Sequence, residues 1–463
     1  MDAVCFTGGI LLHKFLNKFT NLSPPPPPDT PTPPLFKFVL TGGPCGGKTT
    51  ALARLSSFLT ERGFVVLTVP EAATLLFSNG VSPANFAITN FGFVLQKELM
   101  GLQISLEDGM SEIARAINKP AVLLCDRGAM DGSAYMDKIE WAALLDSRNI
   151  SSVCDIREGR YNAVFHLVTA AIGAEKYYTL ENNATRTETV PVAQELDKKT
   201  QRAWLGHSSH HVIDNSTNFE GKLQKLVNTA AKLVGLPTLT RLTTKFLVQE
   251  GLTLDEILSK IPEEIEYQVF DIEKVYLYEN KGEKRKTVNS PMHGFSSKVK
   301  NQLIVDEYSF VRRRSFGNST VYGRTTMRRT FDGQEIEIKR IITAREYKNA
   351  LQTRDNSRHI VKQKRVAFLY QQQSFTLHSY MEPVSNLNIL HCQTHGHEVE
   401  FPPWMVGVEG MIERQLEVDG NGNDDDGVDS TLYGAFQISM KKKDKRSMSE
   451  EFFSPIKSPK KGG

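Results

Sequence analysis

The residues with the clearest chemistry form a glycine-rich loop near the start of the chain. Residues 42–49 read Gly-Gly-Pro-Cys-Gly-Gly-Lys-Thr, the spacing of the phosphate-loop motif. Its glycines let successive backbone N–H groups point into one concavity, and a helix that begins there directs its positive dipole end to the same place. We therefore predict that nucleotide phosphates contact the loop residues Gly42, Gly43, Gly46, Gly47, Lys48, Thr49 and Thr50.

The neighbouring segments predict the elements that hold this loop. An apolar run over 36–40 precedes it, and apolar residues at helical spacing over 50–59 follow it. Strand, loop and helix in this order are the context that the motif requires. The further pattern predicts an α/β phosphate-loop domain with a doubly wound parallel sheet over 35–238. Its other strands are expected over 63–70, 121–126, 161–168 and from His211, with helices over 93–101 and 105–118.

Two acids follow predicted strands, at the edge where open α/β sheets bind ligands. Asp126 ends the third strand and, with the hydroxyl of Thr49, is predicted to hold Mg²⁺ beside GTP or ATP. Glu71 follows the second strand at the same edge, and it could equally be a helix N-terminal acid that satisfies the dipole. The Asn-Lys-x-Asp motif that selects guanine is absent from the sequence, so the base is not specified.

A charged segment over 170–209 separates the last two predicted strands. Its cations fit a mobile segment that closes over phosphates, as in phosphoryl-transfer enzymes, or a solvated helix face. Both interpretations stay open for Arg186, Lys198, Lys199 and Arg202.

These motifs, with residues 169–174, resemble the phosphate-loop domain that bacterial nicotinamide riboside kinases share with the TRPL translocation defect protein 14 family of animals. Residues 193–215 are closer to the animal family. The resemblance covers 36–236 and implies a nucleoside-kinase-like fold. It further implies that Glu71 takes a proton from an acceptor hydroxyl, that Asp126 and Arg127 contact metal and phosphate, and that Arg186 belongs to a lid.

Beyond residue 236 the pattern changes to long alternating segments, which predict an α+β antiparallel tunnel-barrel domain over 240–408. Capping boxes that begin at Thr253 and Thr343 predict two short helices. Residues 281–300 are predicted to form a solvated loop. The strands are predicted over 244–249, 265–278, 309–316, 320–330, 335–342, 360–370, 374–380 and 387–392.

These strands carry an excess of positive charge, with fifteen Lys and Arg against five Asp and Glu over 311–370. One face of each barrel strand lines the lumen, and buried cations are costly unless an anion or water accompanies them. The pattern predicts a polyanion site, with cations facing solvent on an open sheet as the alternative. Nucleic acid is not favoured, because aromatic residues are sparse between the cations. The predicted headgroup-binding residues are Lys245, Arg312, Arg314, Arg328, Lys339, Lys364 and Arg365.

The segments 310–314, 336–347, 361–365 and 401–404 resemble the triphosphate-tunnel (CYTH-like) family, which includes class IV adenylate cyclases and thiamine triphosphatases. That family begins with Glu-x-Glu-x-Lys, of which only Lys245 is present here, and its late acids are replaced by His378, His391 and Gln393. Those carboxylates hold the metal ions of triphosphate chemistry. The departures imply a tunnel that binds a phosphoinositide or polyphosphate without catalysis, with hydrolysis through Glu335 and Glu337 as an alternative.

Composition limits the remaining possibilities. Residues 1–34 are proline-rich, and residues 409–463 are acidic and then basic; both are predicted to be disordered. Five cysteines without a C-x-x-C pair argue for a reducing, cytoplasmic setting, and the absence of a long apolar run argues against a transmembrane segment. We expect a nucleotide-binding protein with peripheral contact to endomembranes; a small-molecule kinase acting on a nucleoside-like acceptor is the alternative.

Overall fold

The computed structural model describes residues 33–178, 189–236, 244–249, 251–278, 304–330, 335–371, 373–392, 399–405, 411–416 and 434–441. Among the helices in these ranges, none combines the length and the apolar character needed to cross a bilayer.

A parallel five-stranded sheet forms the first part of the chain and confirms the predicted α/β class. The strand order is β2-β3-β1-β4-β5, with all neighbours parallel. Because β1 lies in the middle of this order, the loop that follows it lies at the centre of the carboxyl edge. The strands are β1 (Leu35–Thr41), β2 (Val65–Val69), β3 (Ala121–Asp126), β4 (Ala163–Leu167) and β5 (His210–Ile213).

Helices cover both faces of this sheet. Strand side chains alternate between faces, so β1 places Phe38 and Leu40 in one apolar core and Val39 in the other. Both cores are fully buried at these positions. The helices are α1 (Lys48–Glu61), α2 (Ala72–Ser78), α3 (Phe91–Ile117), α4 (Lys138–Ser147), α5 (Val153–Ile156), α6 (Val190–Ala203) and α7 (Phe219–Leu233).

Helix α3 corrects one prediction, because the two helices expected over 93–101 and 105–118 are one continuous helix. Gly101 suggested a break, but it lies inside the helix, where the guanidinium of Arg148 occupies the space that a Cβ would take. The hydroxyl of Ser105 donates to the Gly101 carbonyl at 2.9 Å and so stays within the helical turn. A glycine retained for close packing does not end a helix.

The second sheet has nine antiparallel strands in the order β10-β9-β8-β7-β11-β12-β13-β6-β14. This arrangement is compatible with the predicted barrel. The capping boxes at Thr253 and Thr343 are confirmed, and they begin α8 (Leu254–Ser259) and α9 (Ala344–Leu351). The first eight strands are β6 (Thr244–Val248), β7 (Tyr267–Tyr276), β8 (Ile304–Phe316), β9 (Ser319–Thr330), β10 (Glu335–Ile342), β11 (Val361–Tyr370), β12 (Gln373–Glu382) and β13 (Leu387–Cys392).

Two segments of the predicted tail belong to this fold. Strand β14 (Ile412–Leu416) pairs with β6, and α10 (Ala435–Ile438) places Phe436 in a ring stack with Tyr308, with centroids 3.9 Å apart. The prediction of disorder over 409–463 therefore does not hold for these two segments. The predictions for 1–32, 281–300 and the rest of the tail lie outside the described residues.

The two sheets meet through the edge of the parallel sheet at which its strands begin. Gly235, just after α7, packs against Ile338 of β10. Arg157 and Glu158, which precede β4, contact Gln268 of β7 and Arg314 of β8. These contacts lie at the edge opposite the phosphate loop, so the two predicted anion sites do not share an entrance.

Candidate functional site

The phosphate loop joins the carboxyl end of β1 to the first turn of α1. Gly42 has φ 134° and Gly47 has φ 84°, conformations that favour glycine. A Cβ on Gly42 would overlap the carbonyl of Leu167 at the end of β4, and one on Gly47 would lie 2.6 Å from the ring of Phe219. The glycines are therefore required by close packing as well as by the backbone turn.

Lys48 begins α1 with its ammonium group folded over the loop. Its Nζ donates to the carbonyls of Gly42 and Gly43, each at 3.2 Å. Burial, followed by the nearby guanidinium of Arg127, lowers the pKa of Lys48 to about 8. Thr49 and Thr50 are exposed in the next positions of the helix. The loop thus presents an ammonium group and two accessible hydroxyls at one helix N-terminus.

Three of the predicted catalytic positions converge on this loop. Arg127, at φ 73°, donates from Nε to Glu71 Oε1 at 3.1 Å and from Nη1 to the Gly42 carbonyl at 2.9 Å. Burial favours a higher pKa for Glu71, but Arg127, the Thr74 hydroxyl and Lys48 lower it overall. Glu71 is therefore an ionised carboxylate at neutral pH. It lies at the N-cap of α2, as the helix N-terminal alternative predicted, although it accepts no cap hydrogen bond from the backbone.

The residues present fit a Mg²⁺ ion. Asp126 Oδ1 is a buried carboxylate oxygen without a hydrogen-bond partner among the described residues. Burial raises the pKa of Asp126 above its usual value, as expected for a carboxylate short of compensating contacts. No group of three or more His, Cys, Asp or Glu side chains in the described ranges could hold a metal. Mg²⁺ nevertheless needs only one or two protein oxygens, since phosphates and water complete its shell.

Two buried acids near the loop were not identified from the sequence. Asp131 accepts hydrogen bonds from the Thr41 hydroxyl, from Gly128 N at 2.7 Å and from Trp204 Nε1 at 3.3 Å. It thereby ties the ends of β1 and β3 to the end of α6. Neither its spacing nor its neighbours form a recognisable motif, so no local signal predicts this role.

Asp197 of α6 is the second of these acids and contacts the phosphate loop directly. Its Oδ1 accepts from Gly43 N at 2.8 Å and from Thr169 N at 3.0 Å, and its Oδ2 lies 3.1 Å from His166 Nε2. Burial opposes ionisation, but His166 and the two amides lower the pKa of Asp197 overall. Helix α6 is therefore clamped to the loop by an ionised carboxylate.

We expect Asp197→Ala to weaken nucleotide binding about tenfold and to lower the free energy of unfolding by about 3 kcal/mol. The change leaves two buried N–H groups and a buried imidazole without an acceptor, at about 1–3 kcal/mol each. Asp197→Asn keeps an acceptor and should bind nearly as the wild type does. Urea denaturation and nucleotide titration measure both quantities. Glu195→Ala, on the exposed side of the same helix, is the control; equal nucleotide affinity of the two alanine variants would contradict the clamp.

The predicted lid is only partly described. Arg186 lies outside the described residues. Lys198, Lys199 and Arg202 lie on the exposed side of α6. For these three residues the structure favours the solvated-face interpretation over a role at the phosphates.

In the second sheet, the strand register identifies the cations that share a face. Residues directly opposite each other in an antiparallel sheet point to the same side. Lys274 pairs with Arg312, and His391 pairs with Lys245. Of the acidic residues on these strands whose side chains are described, only Glu337 lies on the same side of the sheet as these residues. We call this side the basic face; it carries Lys245, Lys274, Arg312, Arg314, Lys339 and Arg365.

These cations crowd one another in a space of low solvent exposure. Burial, then Arg365 and Arg312, lower the pKa of Lys274 well below its usual value. Burial, followed by Arg312, lowers the pKa of Arg365 to about 9. Buried cations that repel one another are stabilised when an anion joins them. The basic face therefore has the electrostatics of an anion site.

Two of the predicted headgroup-binding residues lie on the opposite face, and their assignment to one site with the others is wrong. Arg328 donates from Nε to Glu307 at 3.0 Å, and Lys364 Nζ lies 3.2 Å from the exposed Asp271. Lys364 and Arg365 were grouped because both are cationic. Neighbours along a strand point to opposite sides, so only one of them can reach the basic face.

The remaining predicted positions of the tunnel are partly described. His378 and His391 belong to the basic face, with ring centroids 3.8 Å apart. Burial and Arg365 lower the pKa of His378 well below its usual value. Glu337 pairs with Lys339 at 3.0 Å. Gln393 and the side chain of Glu335 lie outside the described part of the chain.

Comparison with known proteins agrees with the first site. Residues 37–222 match the model of a family described as an AAA domain. No curated protein matches the chain. The solved structure of the PH1819 protein from Pyrococcus horikoshii OT3 is 16% identical, with 33% of this chain and 76% of that chain covered. Its TM-score of 0.22 is too low to indicate a shared fold. The match over residues 37–222 supports a phosphate-loop domain of the nucleotide-binding type in this part of the chain.

Proposed function

We propose that this protein binds GTP or ATP with Mg²⁺ in its first domain and a phosphorylated headgroup or polyphosphate on the basic face of its second. The observation that carries the proposal is the charge of that face. Six cations from five strands share it with one described acid, Glu337. An arrangement of this kind is costly without an anionic ligand.

The nucleotide half of the proposal depends on the phosphate loop. Backbone amides and the ammonium of Lys48 would bind the phosphates, and Arg127 lies against the same loop. Thr49 and the unpartnered oxygen of Asp126 would hold Mg²⁺. When bound, Mg²⁺ neutralises phosphate charge. These groups suffice for tight binding, whereas turnover requires an acceptor as well.

The headgroup half is favoured by the compactness of the charge. Lys274 and Arg312 are direct cross-strand partners, and Arg365 is close enough to lower the pKa of Lys274. A cluster of this size suits several phosphates on one small ring or chain. A phosphoinositide would place the protein peripherally on cytoplasmic endomembranes. A role in membrane trafficking follows from the resemblance to the TRPL translocation defect protein 14 family.

Metal-dependent hydrolysis on the basic face is the less favoured alternative. Glu337 is neutralised by Lys339, and it does not belong to a group of three or more His, Cys, Asp or Glu side chains in the described ranges that could hold a metal ion. Triphosphate chemistry needs carboxylates that hold its metal ions. We therefore propose that this face binds its ligand without cleaving it.

Two binding measurements test the proposal with the full chain. The first titrates GTP and ATP in the presence of Mg²⁺. The second pellets vesicles of neutral lipid with and without phosphoinositide, and titrates tripolyphosphate as a soluble competitor. We expect saturable nucleotide binding and phosphoinositide-dependent pelleting that tripolyphosphate reverses. Equal binding to neutral vesicles, or no effect of tripolyphosphate, would refute the headgroup half.

A nucleoside-like kinase is the second candidate function, and the position of Glu71 favours it. Its ionised carboxylate lies 3.1 Å from Arg127, beside the loop that would hold the γ-phosphate. If phosphate is transferred to any member of a nucleoside panel, Glu71→Gln should lower the rate at least about 100-fold, because an amide cannot take the hydroxyl proton. Glu61→Gln, at the far end of α1, should leave it unchanged. Equal rates in Glu71→Gln and wild type would exclude Glu71 as the base.

A further inference from the structure

Three charged residues are buried together where the two domains meet. Arg157 and Glu158 belong to the segment between α5 and β4, and Arg314 belongs to β8. Their exposed fractions are 2%, 4% and 8%. Buried charges of this kind are stabilised only when they are paired closely.

The carboxylate of Glu158 accepts hydrogen bonds from both Arg157 and Arg314. Glu158 Oε1 accepts from Arg157 Nη2 at 2.8 Å and from Arg314 Nη1 at 2.8 Å, and its Oε2 accepts from Arg157 Nε at 2.9 Å. Arg314 also donates to the carbonyl of Gly206 and stacks 3.6 Å above the ring of Phe270. Both terminal nitrogens of the Arg314 guanidinium thus have a partner within the protein.

Arg314 also belongs to the basic face, two residues from Arg312 on the same strand. The charge of Glu158 is felt by Arg312, and Arg314 is close enough to Arg365 to affect it. The first domain therefore places the carboxylate of an Arg157–Glu158 ion pair against Arg314, at one end of the cation row in the second.

We propose that Glu158 is a specificity-determining residue of the basic face. It withdraws Arg314 from ligand binding, so that the ligand's phosphates bind Arg312, Lys274 and Arg365 only. The inference rests on the proposed anion-binding function of that face. The ion pair with Glu158 explains why Arg314, which the sequence does not distinguish from Arg312, has a structural role while Arg312 binds the ligand.

The test is titration of tripolyphosphate and pyrophosphate into the full-length protein by calorimetry at fixed ionic strength. Glu158→Gln keeps the size of the side chain and an acceptor oxygen but removes the charge. We expect it to bind tripolyphosphate about tenfold more tightly, with a smaller gain for pyrophosphate, since the released Arg314 adds a cation that the longer anion reaches more readily. Glu307→Gln, which removes the partner of Arg328 on the opposite face, should change neither affinity.

A second variant covers the case in which Glu158→Gln does not fold. Arg314→Gln should weaken tripolyphosphate binding no more than about threefold, because Arg314 does not hold the ligand, whereas Arg312→Gln should weaken it by at least about tenfold. Equal losses in these two variants, or a folded Glu158→Gln that binds no more tightly than wild type, would overturn the role of Glu158. Wild-type protein that binds no tripolyphosphate would instead refute the proposed function itself.

Discussion

Replacing Lys48 with alanine should weaken nucleotide binding at least about 100-fold. The ammonium group is the only side-chain cation predicted to reach the β- and γ-phosphates from within the loop, and hydrogen bonds to charged groups contribute about 1.5–3 kcal/mol each. In the free protein its hydrogen-bond partners are two backbone carbonyls, so removing the ammonium group does not break a buried ion pair. The fold should therefore tolerate the change.

Titration of GTP and ATP with Mg²⁺, followed by fluorescence or calorimetry, measures this loss. Lys119→Ala is the matched control, because Lys119 is exposed and lies just before β3, at the edge of the sheet opposite the loop. We expect the control to bind as the wild type does. Wild-type affinity in Lys48→Ala would show that the loop does not bind phosphate as proposed.

The nucleotide affinity measured in the same titration should decrease as the pH rises. The pKa of Lys48 is lowered to about 8 in the free protein, and a bound phosphate raises it, since phosphate favours the charged form. Affinity should be constant below pH 8 and fall by up to about tenfold per pH unit above it. Lys48→Ala removes the titrating group and should lose this dependence.

The phosphate loop was predictable because its information is local. Eight consecutive residues determine the turn, and β1 and α1 fall within two residues of the predicted bounds. Asp197 lies in the run over 193–215 that carries the resemblance, but its contact with Gly43 was not predictable, since 154 residues separate the two. Its role depends on how α6 packs across the sheet, which only the tertiary structure determines.

In the second domain the strands were predictable, whereas the side of the sheet on which each charged residue lies was less so. The bounds of β10 and β13 agree with prediction. The assignment of Lys364 failed because it was chosen by charge and not by parity along the strand. Arg314 obeys the parity rule, yet Glu158, 156 residues earlier, takes it as a partner. The alternation of side chains along a strand predicts on which side of the sheet a residue lies, but not which residue it contacts there.

The paired substitution Arg312→Gln with Arg365→Gln should abolish phosphoinositide-dependent vesicle binding and weaken tripolyphosphate binding at least about 100-fold. The two guanidinium groups lie near each other on the basic face, and each lost charged hydrogen bond costs about 1.5–3 kcal/mol. Lys362→Gln with Lys364→Gln is the matched control, because it removes the same charge from cations that pair with Glu382 and Asp271.

The thermal stability of this double variant distinguishes arginines that bind a ligand from arginines that stabilise the fold. Burial and the nearby Arg312 lower the pKa of Arg365, so neutralising both residues relieves repulsion in the free protein. We expect the Arg312→Gln, Arg365→Gln protein to unfold at or above the wild-type temperature while losing its ligand. Wild-type vesicle binding by this variant, or equal losses in the Lys362→Gln, Lys364→Gln control, would show that membrane attraction follows net charge and not the basic face. A fall in thermal stability without a change in affinity would assign these arginines to the fold alone.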